Sequence, residues 1–277
     1  MKIICPVGCL ILTLLSAKQL RSEERPVVLD YYTTVSLYLT VQRTNDTIGT
    51  ATGFVVKKKE RAFLITNWHV VSGKDPIHGD KVEDPLGRIP DRVKIWHNGK
   101  VLGTRVGRTE LLFGTNGAPR WVEHPKGHSF DVVALALEAV DETVELYPLD
   151  LASADGNMAV SISMPVSIVG FPLGQTASVD FPIWKIGHIA SEPELDFEGK
   201  PRFLIDATTR SGMSGSPVYL RNFGPYIKKS GVLMMATGIT TKFLGIYSAQ
   251  SNAMEIGIVW KPSVIDEVLE KASMNGL

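Results

Sequence analysis

SGMSGSPV, residues 211–218, sets Ser214 between Gly212 and Gly215, with Pro217 just beyond. Glycines on both sides permit backbone angles that a side chain forbids. They also let backbone N–H groups come close to a carbonyl, so that Gly212 and Ser214 can hold a developing oxyanion while Ser214 attacks. Taken alone, the same pattern reads more readily as a turn in a Gly-rich chain. A serine is a weak nucleophile without a base, so the reading depends on what else the chain supplies.

Six histidines are available. His69, in LITNWHVV, follows the apolar run Phe63 to Thr66 and so stands near a strand end, where a side chain can face a cleft. His78, His97, His124 and His128 lie in polar, loop-like surroundings and read as solvated surface groups. His124 and His128 have ligand-like spacing, but HPKGH offers no third ligand, so no metal is expected. His188 sits in a strand as a core or pocket residue. An orienting carboxylate is offered by Asp131 in SFDVVALAL, directly ahead of an apolar strand. A buried acid there needs a partner, and His69 can be that partner. Asp131 on its own reads equally as a strand-edge turn cap.

The wider pattern has a period of two. Strands are expected at Thr34–Val41, Val132–Leu137, Val166–Gly170, Trp184–Ala190, Phe203–Ile205, Pro217–Leu220, Met234–Ile239, Leu244–Ser248 and Glu255–Trp260. Ala51–Val56 and Ala62–Thr66 around KKKER read as a hairpin. So do Val93–Trp96 and Val101–Val106, with Asn98-Gly99 as a type I′ turn. Ser72–Pro90 and Phe113–His128 read as long surface loops. One helix is expected over 263–273, capped by Ser263, with Asp266 and Glu267 early and Val264, Ile265, Val268 and Leu269 as its apolar stripe. The result is an all-β chain, compatible with two small barrels or a sandwich.

His69, Asp131 and Ser214 follow one another in the order His, Asp, Ser, each at a strand end. In that order and setting the chain resembles the chymotrypsin-fold (trypsin-like) serine peptidases, within them the bacterial HtrA-like and glutamyl-endopeptidase-like branches. The resemblance runs over about residues 48–260. It rests on ATGFVV (51–56), LITNWHVV, FDVVALAL, IVGFPLG (168–174), TTRSGMSGSPV and LGIYSA (244–249). It implies two six-stranded antiparallel β-barrels, about 31–145 and 146–260, with a short C-terminal helix and the site in the cleft between the barrels. It also implies a serine endopeptidase that works through an acyl-enzyme, with His69, Asp131 and Ser214 catalytic, Gly212 and Ser214 as oxyanion hole, and polypeptides as substrates. Neither metal nor organic cofactor is called for.

Departures refine this. Met213 stands where the trypsin branch has the aspartate of its activation switch, so no such switch is expected. Ser216 replaces the second glycine of the commoner motif. Thr208 stands at the place of a trypsin-like pocket aspartate. Tyr247 replaces the pocket histidine of glutamyl endopeptidases. Thr208, Thr209 and Tyr247 thus imply an uncharged pocket for small or medium apolar side chains. No PDZ domain is recognised downstream. The alternative is a catalytically silent member of the fold that acts as a protein-binding or chaperone-like module.

Composition bounds the rest. With 29 Lys+Arg against 29 Asp+Glu in 277 residues, the net charge is zero and supplies no basic field for nucleic acid. The N-terminus, MKIICPVGCLILTLLSA, has Lys2, an apolar run from Ile3 to Leu15, and small residues at Ser16-Ala17. That is the grammar of a signal peptide over 1–17, and it implies a periplasmic or secreted protein without a stable membrane anchor after cleavage. The other reading is a buried first element in a cytoplasmic protein. Both cysteines, Cys5 and Cys9, fall inside this segment, so the mature chain has no disulfide. Residues 18–30 read as a mobile arm, followed by the peptidase domain over 31–277.

Overall fold

Burial alternates along some strands and is continuous along others that are covered on both faces, and these strands build two successive sheets. The computed structural model describes residues 29–151, 157–251 and 256–277. The segment 1–17 read as a signal peptide, both cysteines and nearly all of the segment 18–30 read as an arm lie outside them.

Helix α1 (Tyr31–Val35) leads into β1 (Ser36–Arg43), β2 (Asp46–Lys58) and β3 (Arg61–Thr66). Helix α2 (Trp68–Ser72) follows, then β4 (Arg92–Gly99), β5 (Arg105–Leu111), β6 (Trp121–Glu123), β7 (Val133–Ala136) and β8 (Val144–Glu145). These strands form one sheet in the order β5-β4-β1-β2-β3-β7-β6, with β8 added to β4. The second half contains β9 (Pro165–Gly170), β10 (Ile183–Ile189), β11 (Arg202–Asp206), β12 (Pro217–Phe223), β13 (Tyr226–Ile227), β14 (Leu233–Met234), β15 (Ile239–Ser251), β16 (Ile256–Trp260) and helix α3 (Pro262–Met274). There β10-β11-β16-β15-β12-β9 closes into a six-stranded barrel, as the resemblance implied. The first half differs: it has eight strands, and no strand ladder joins β5 to β6. Residues 112–120 join them as a hairpin loop, in which Arg120 N–H bonds Leu112 O at 2.9 Å. Gly114, Gly117 and Pro119 favour turns over a ladder there.

Local expectations are corrected in five places. Thr34 and Val35 end α1, and strand geometry begins at Ser36. Asn98-Gly99 is not a turn but the end of β4, where Asn98 pairs with Arg105 and the bend falls at 100–104. The Asn98 side chain is committed elsewhere: its Nδ2 donates to Thr34 O at 2.8 Å and its Oδ1 accepts from Arg105 at 2.9 Å. The 113–128 stretch contains β6, because Trp121 is buried in the core of the first sheet and Val122 in the cluster between the halves. Met234–Ile239 is split between β14 and the start of β15. Helix α3 starts with Pro262 at its first turn, and its N-cap Lys261 makes no side-chain cap bond, so Ser263 does not cap it.

Three apolar clusters hold this together. Leu39, Val55, Leu64 and Ile95 fill the first sheet, and Ile168, Ile205, Val218 and Val259 fill the barrel. The third cluster joins the two halves: Phe54 and Ile65 meet Tyr219, Trp260 and the α3 stripe Val264, Ile265, Val268 and Leu269. Each such side chain contributes roughly 1.5–3 kcal/mol on full burial, so the halves are fixed against one another where the cleft opens.

Candidate active site

Asp131 organises the cleft. It lies just ahead of β7, whose Val133, Ala134 and Leu135 are buried, and is itself 2% exposed. A carboxylate removed from water is costly unless donors meet it, and three do. His69 N–H donates to Oδ1 at 2.9 Å, His69 Nδ1 lies 2.7 Å from Oδ2, and Ser248 Oγ–H donates to Oδ2 at 2.5 Å. A carboxylate only accepts, so the proton of a neutral His69 ring belongs on Nδ1, and Nε2 keeps the free lone pair.

The apolar run of β3 delivers His69 to this place. Asn67, between β3 and α2, donates its side-chain N–H to Asp131 O at 2.7 Å. Helix α2 ends one turn later at Gly73, φ +68°, whose N–H bonds His69 O at 2.9 Å. A Cβ at Gly73 would lie 2.5 Å from Pro90 Cδ. Burial, the largest influence on the His69 pKa, pulls it down. The charge and hydrogen bond of Asp131, helped by Glu83 and Asp75, outweigh that and leave it raised above its ordinary 6.5.

Ser214 sits on the loop between β11 and β12, partly exposed. Gly212 and Gly215 adopt φ of +92° and +86°. A Cβ on Gly212 would lie 2.3 Å from Phe171 O, and one on Gly215 would lie 1.9 Å from Thr52 O, so both glycines are also required by close approach. Buried Thr52 of β2 fastens this loop across the two halves. Its N–H bonds Ser214 O at 2.8 Å, its Oγ1–H bonds Gly212 O at 2.8 Å, and its Oγ1 accepts Phe171 N–H at 3.2 Å. The N–H groups of Gly212 and Ser214 have no acceptor among the described residues. Ser214 Oγ–H donates to Ser248 O at 3.1 Å. Ser248, on β15, therefore touches both Asp131 and Ser214.

His69, Ser214 and Ser248 line one groove of about 670 Å³, together with Gly212, Thr209 and Tyr247. Thr209 and Tyr247 are buried, and their hydroxyls lie 2.5 Å apart. Thr208 is exposed and is not among the groove residues. Arg210 stands in the groove wall with Nη1 on Thr209 O at 2.7 Å. Met213 is fully buried in the barrel core. Ser216 is buried too, and its hydroxyl has no partner among the described residues. A Cβ on Gly170 would lie 2.0 Å from Ser216 Oγ.

Three of the other histidines depart from expectation. His97 is buried on β4 rather than solvated, with neither ring nitrogen bonded among the described residues. Burial first, then the charges of Arg108 and Arg105, lower its pKa to about 4. His124 is buried as well: it stacks on Phe130 with ring centroids 4.0 Å apart, and its Nε2 lies 2.9 Å from Glu267. His188 is exposed on β10, not in a core or pocket. His78, exposed, pairs with Asp75 at 3.0 Å. His128 lies beside the Trp68 ring. Among the described residues no group of His, Cys, Asp or Glu is placed to hold a metal ion.

Ser248 and Thr52 were not singled out from the sequence. Ser248 is one polar residue inside LGIYSA, and Thr52 one inside ATGFVV. A hydroxyl in an otherwise buried run is the signal both carry, because it must find a partner.

Solved structures of similar fold include a serine endoprotease from Yersinia pestis, 14% identical over 91% of this chain and 69% of that one, with a TM-score of 0.50. The thermostable serine protease AL20 from an extremophilic microorganism is 12% identical over 88% of this chain and 99% of that one, with a TM-score of 0.51. The Rv3671c protease of M. tuberculosis is 17% identical over 87% and 81%, with a TM-score of 0.46. At these identities the likeness to the first two speaks to fold alone. No curated protein sequence matches the chain. The trypsin-like peptidase domain family matches residues 51–223. With more than half of its length matched, the chain belongs to the trypsin-like peptidase domain family and is a serine-type hydrolase.

Proposed function

We propose that the protein is a serine endopeptidase in which Ser214 attacks the scissile carbonyl, His69 carries the proton and Asp131 holds His69. The observation that carries this reading is the network on Asp131: His69 Nδ1 at 2.7 Å, and Ser248 reaching from Asp131 to the Ser214 hydroxyl. In the resting arrangement Ser214 Oγ–H is given to Ser248 O. A rotamer change about χ1 hands it to the free Nε2 of His69 when a substrate enters. As Oγ bonds the carbonyl carbon, its proton passes to Nε2, and Asp131 stabilises the imidazolium. The Gly212 and Ser214 N–H groups, which have no acceptor of their own among the described residues, take the oxyanion. Collapse expels the amine with the Nε2 proton and leaves an acyl-enzyme. Water, activated by His69, then releases the acid and restores Ser214.

Thr209 and Tyr247 give the pocket beside Ser214 an uncharged wall that is narrowed by their mutual hydrogen bond, which suits small or medium apolar side chains. The segment 1–17 we read as an export signal, to be checked by sequencing the N-terminus of the mature protein. The direct test of the whole reading is peptide hydrolysis by wild type and by Ser214→Ala and His69→Ala. Loss of either group costs on the order of 10⁴–10⁶ in kcat. Substantial turnover in either variant removes that residue from the mechanism.

A further inference from the structure

The hairpin that extends β12 and β15 beyond the barrel carries an outward apolar face. Phe223 and Ile239 are directly opposite in register and 75% and 49% exposed. Further out, Ile227 and Leu233 are opposite each other and 55% and 61% exposed. Opposed residues share a face; the two pairs belong to separate ladders, with Gly224 at φ +90° and exposed Pro225 and Met235 between them. Tyr226 packs inward on the barrel core. One backbone edge of the hairpin is already taken, with Ala159 N–H on Ile227 O at 2.9 Å, so the open surface is this side-chain face. An apolar face of this kind, exposed on a folded domain, marks a contact.

Charge narrows the occupant. From Ala207 to Met254 the chain has no Asp or Glu, while Arg210, Arg221, Lys228, Lys229 and Lys242 fall within it. Lys228 and Lys229 sit at the hairpin tip, beside exposed Val232. Lys229 has an exposed ion pair with Glu194 at 2.7 Å, a weak bond that an anionic surface can replace.

We propose that the outer face of residues 223–239 is a peripheral docking surface for an anionic lipid bilayer, with Phe223, Ile227, Leu233 and Met235 entering the interface and Lys228 and Lys229 at headgroup level. Such a contact orients the domain on a membrane without anchoring it. It does not depend on the peptidase reading.

The test is amide hydrogen exchange on the full chain, alone and with vesicles of phosphatidylcholine or of phosphatidylcholine mixed with phosphatidylglycerol. Mixed vesicles are expected to slow exchange over 223–239 and to leave the opposite sheet unchanged. Ile227→Ser with Leu233→Ser abolishes that protection while thermal unfolding stays at the wild-type temperature. Lys228→Gln and Lys229→Gln each weaken it roughly fivefold on mixed vesicles only. No protection with either vesicle overturns the proposal. So does equal protection on both, or protection that grows with protein concentration in the absence of lipid, which assigns the face to a second copy.

Discussion

Ser248 places its hydroxyl 2.5 Å from Asp131 Oδ2 on the side of the carboxylate not taken by the His69 backbone. Through its own carbonyl it also holds Ser214 at 3.1 Å. One of the three donors to the acid of the proposed triad thus comes from a strand of the other half of the molecule.

Ser248→Ala removes one of three donors to a buried carboxylate. Hydrogen bonds to charged groups are worth roughly 1.5–3 kcal/mol, so kcat/KM is expected to fall on the order of tenfold to a hundredfold with KM little changed. Steady-state kinetics on a peptide substrate checks this. An unaltered kcat would leave Ser248 a packing residue.

Thr52→Val keeps the shape and deletes the hydroxyl that serves both Gly212 O and Phe171 N–H. Two buried backbone groups then lose a partner. The expected loss is about 1–3 kcal/mol, a fall of roughly 2–4 °C in Tm for each kcal/mol. Activity falls too, because Gly212 carries part of the proposed oxyanion hole. Thermal unfolding beside kinetics separates the two effects.

Gly215→Ala and Gly127→Ala form a matched pair, since both positions have a positive φ, +86° and +85°. At 127 a Cβ meets nothing within 4 Å, whereas at 215 it strikes Thr52 O at 1.9 Å. The variant at 127 is expected to lose roughly 1–2 kcal/mol of stability to backbone strain. The one at 215 should lose far more, and with it the Ser214 loop. Equal Tm values for the two would refute the close-approach account.

The acid limb of activity follows from His69. The working base is neutral, and Asp131, Glu83 and Asp75 hold its pKa up against burial. Activity therefore rises with pH through a midpoint above 6.5. Glu83→Gln or Asp75→Asn removes one raising charge and moves that midpoint down. For stability the sign is opposite. A raised His69 pKa stabilises the fold fully below the unfolded value of about 6.5, and that contribution fades as pH climbs through the folded value. A pH profile of kcat/KM for the three proteins tests the order.

Most of this architecture was legible where residues act locally. The apolar runs Phe63–Thr66 and Val132–Leu137 and the α3 stripe are legible from local hydrophobicity and periodicity, so the strands that carry His69 and Asp131 could be placed. Long-range partners were less legible. Asn98-Gly99 has the chemistry of a tight turn, but Arg105 and Thr34 claim the Asn98 side chain and keep it in β4. His97 was read from its polar neighbours, whereas continuing the alternation of buried Val93 and Ile95 by one more step puts it inside. His124 is buried because Phe130 and Glu267 meet it, and the latter is far away in sequence. Closure of the first half into six strands came from family likeness, and the turn residues of 113–119 leave that half without a closing ladder.

The most direct measurement is covalent labelling with a fluorophosphonate, followed by mass spectrometry of the modified peptide. A single adduct on Ser214 is predicted, formed faster as pH rises through the His69 midpoint, and absent from Ser214→Ala and His69→Ala. Labelling that persists in Ser214→Ala, or no labelling of correctly folded wild type, would contradict the account.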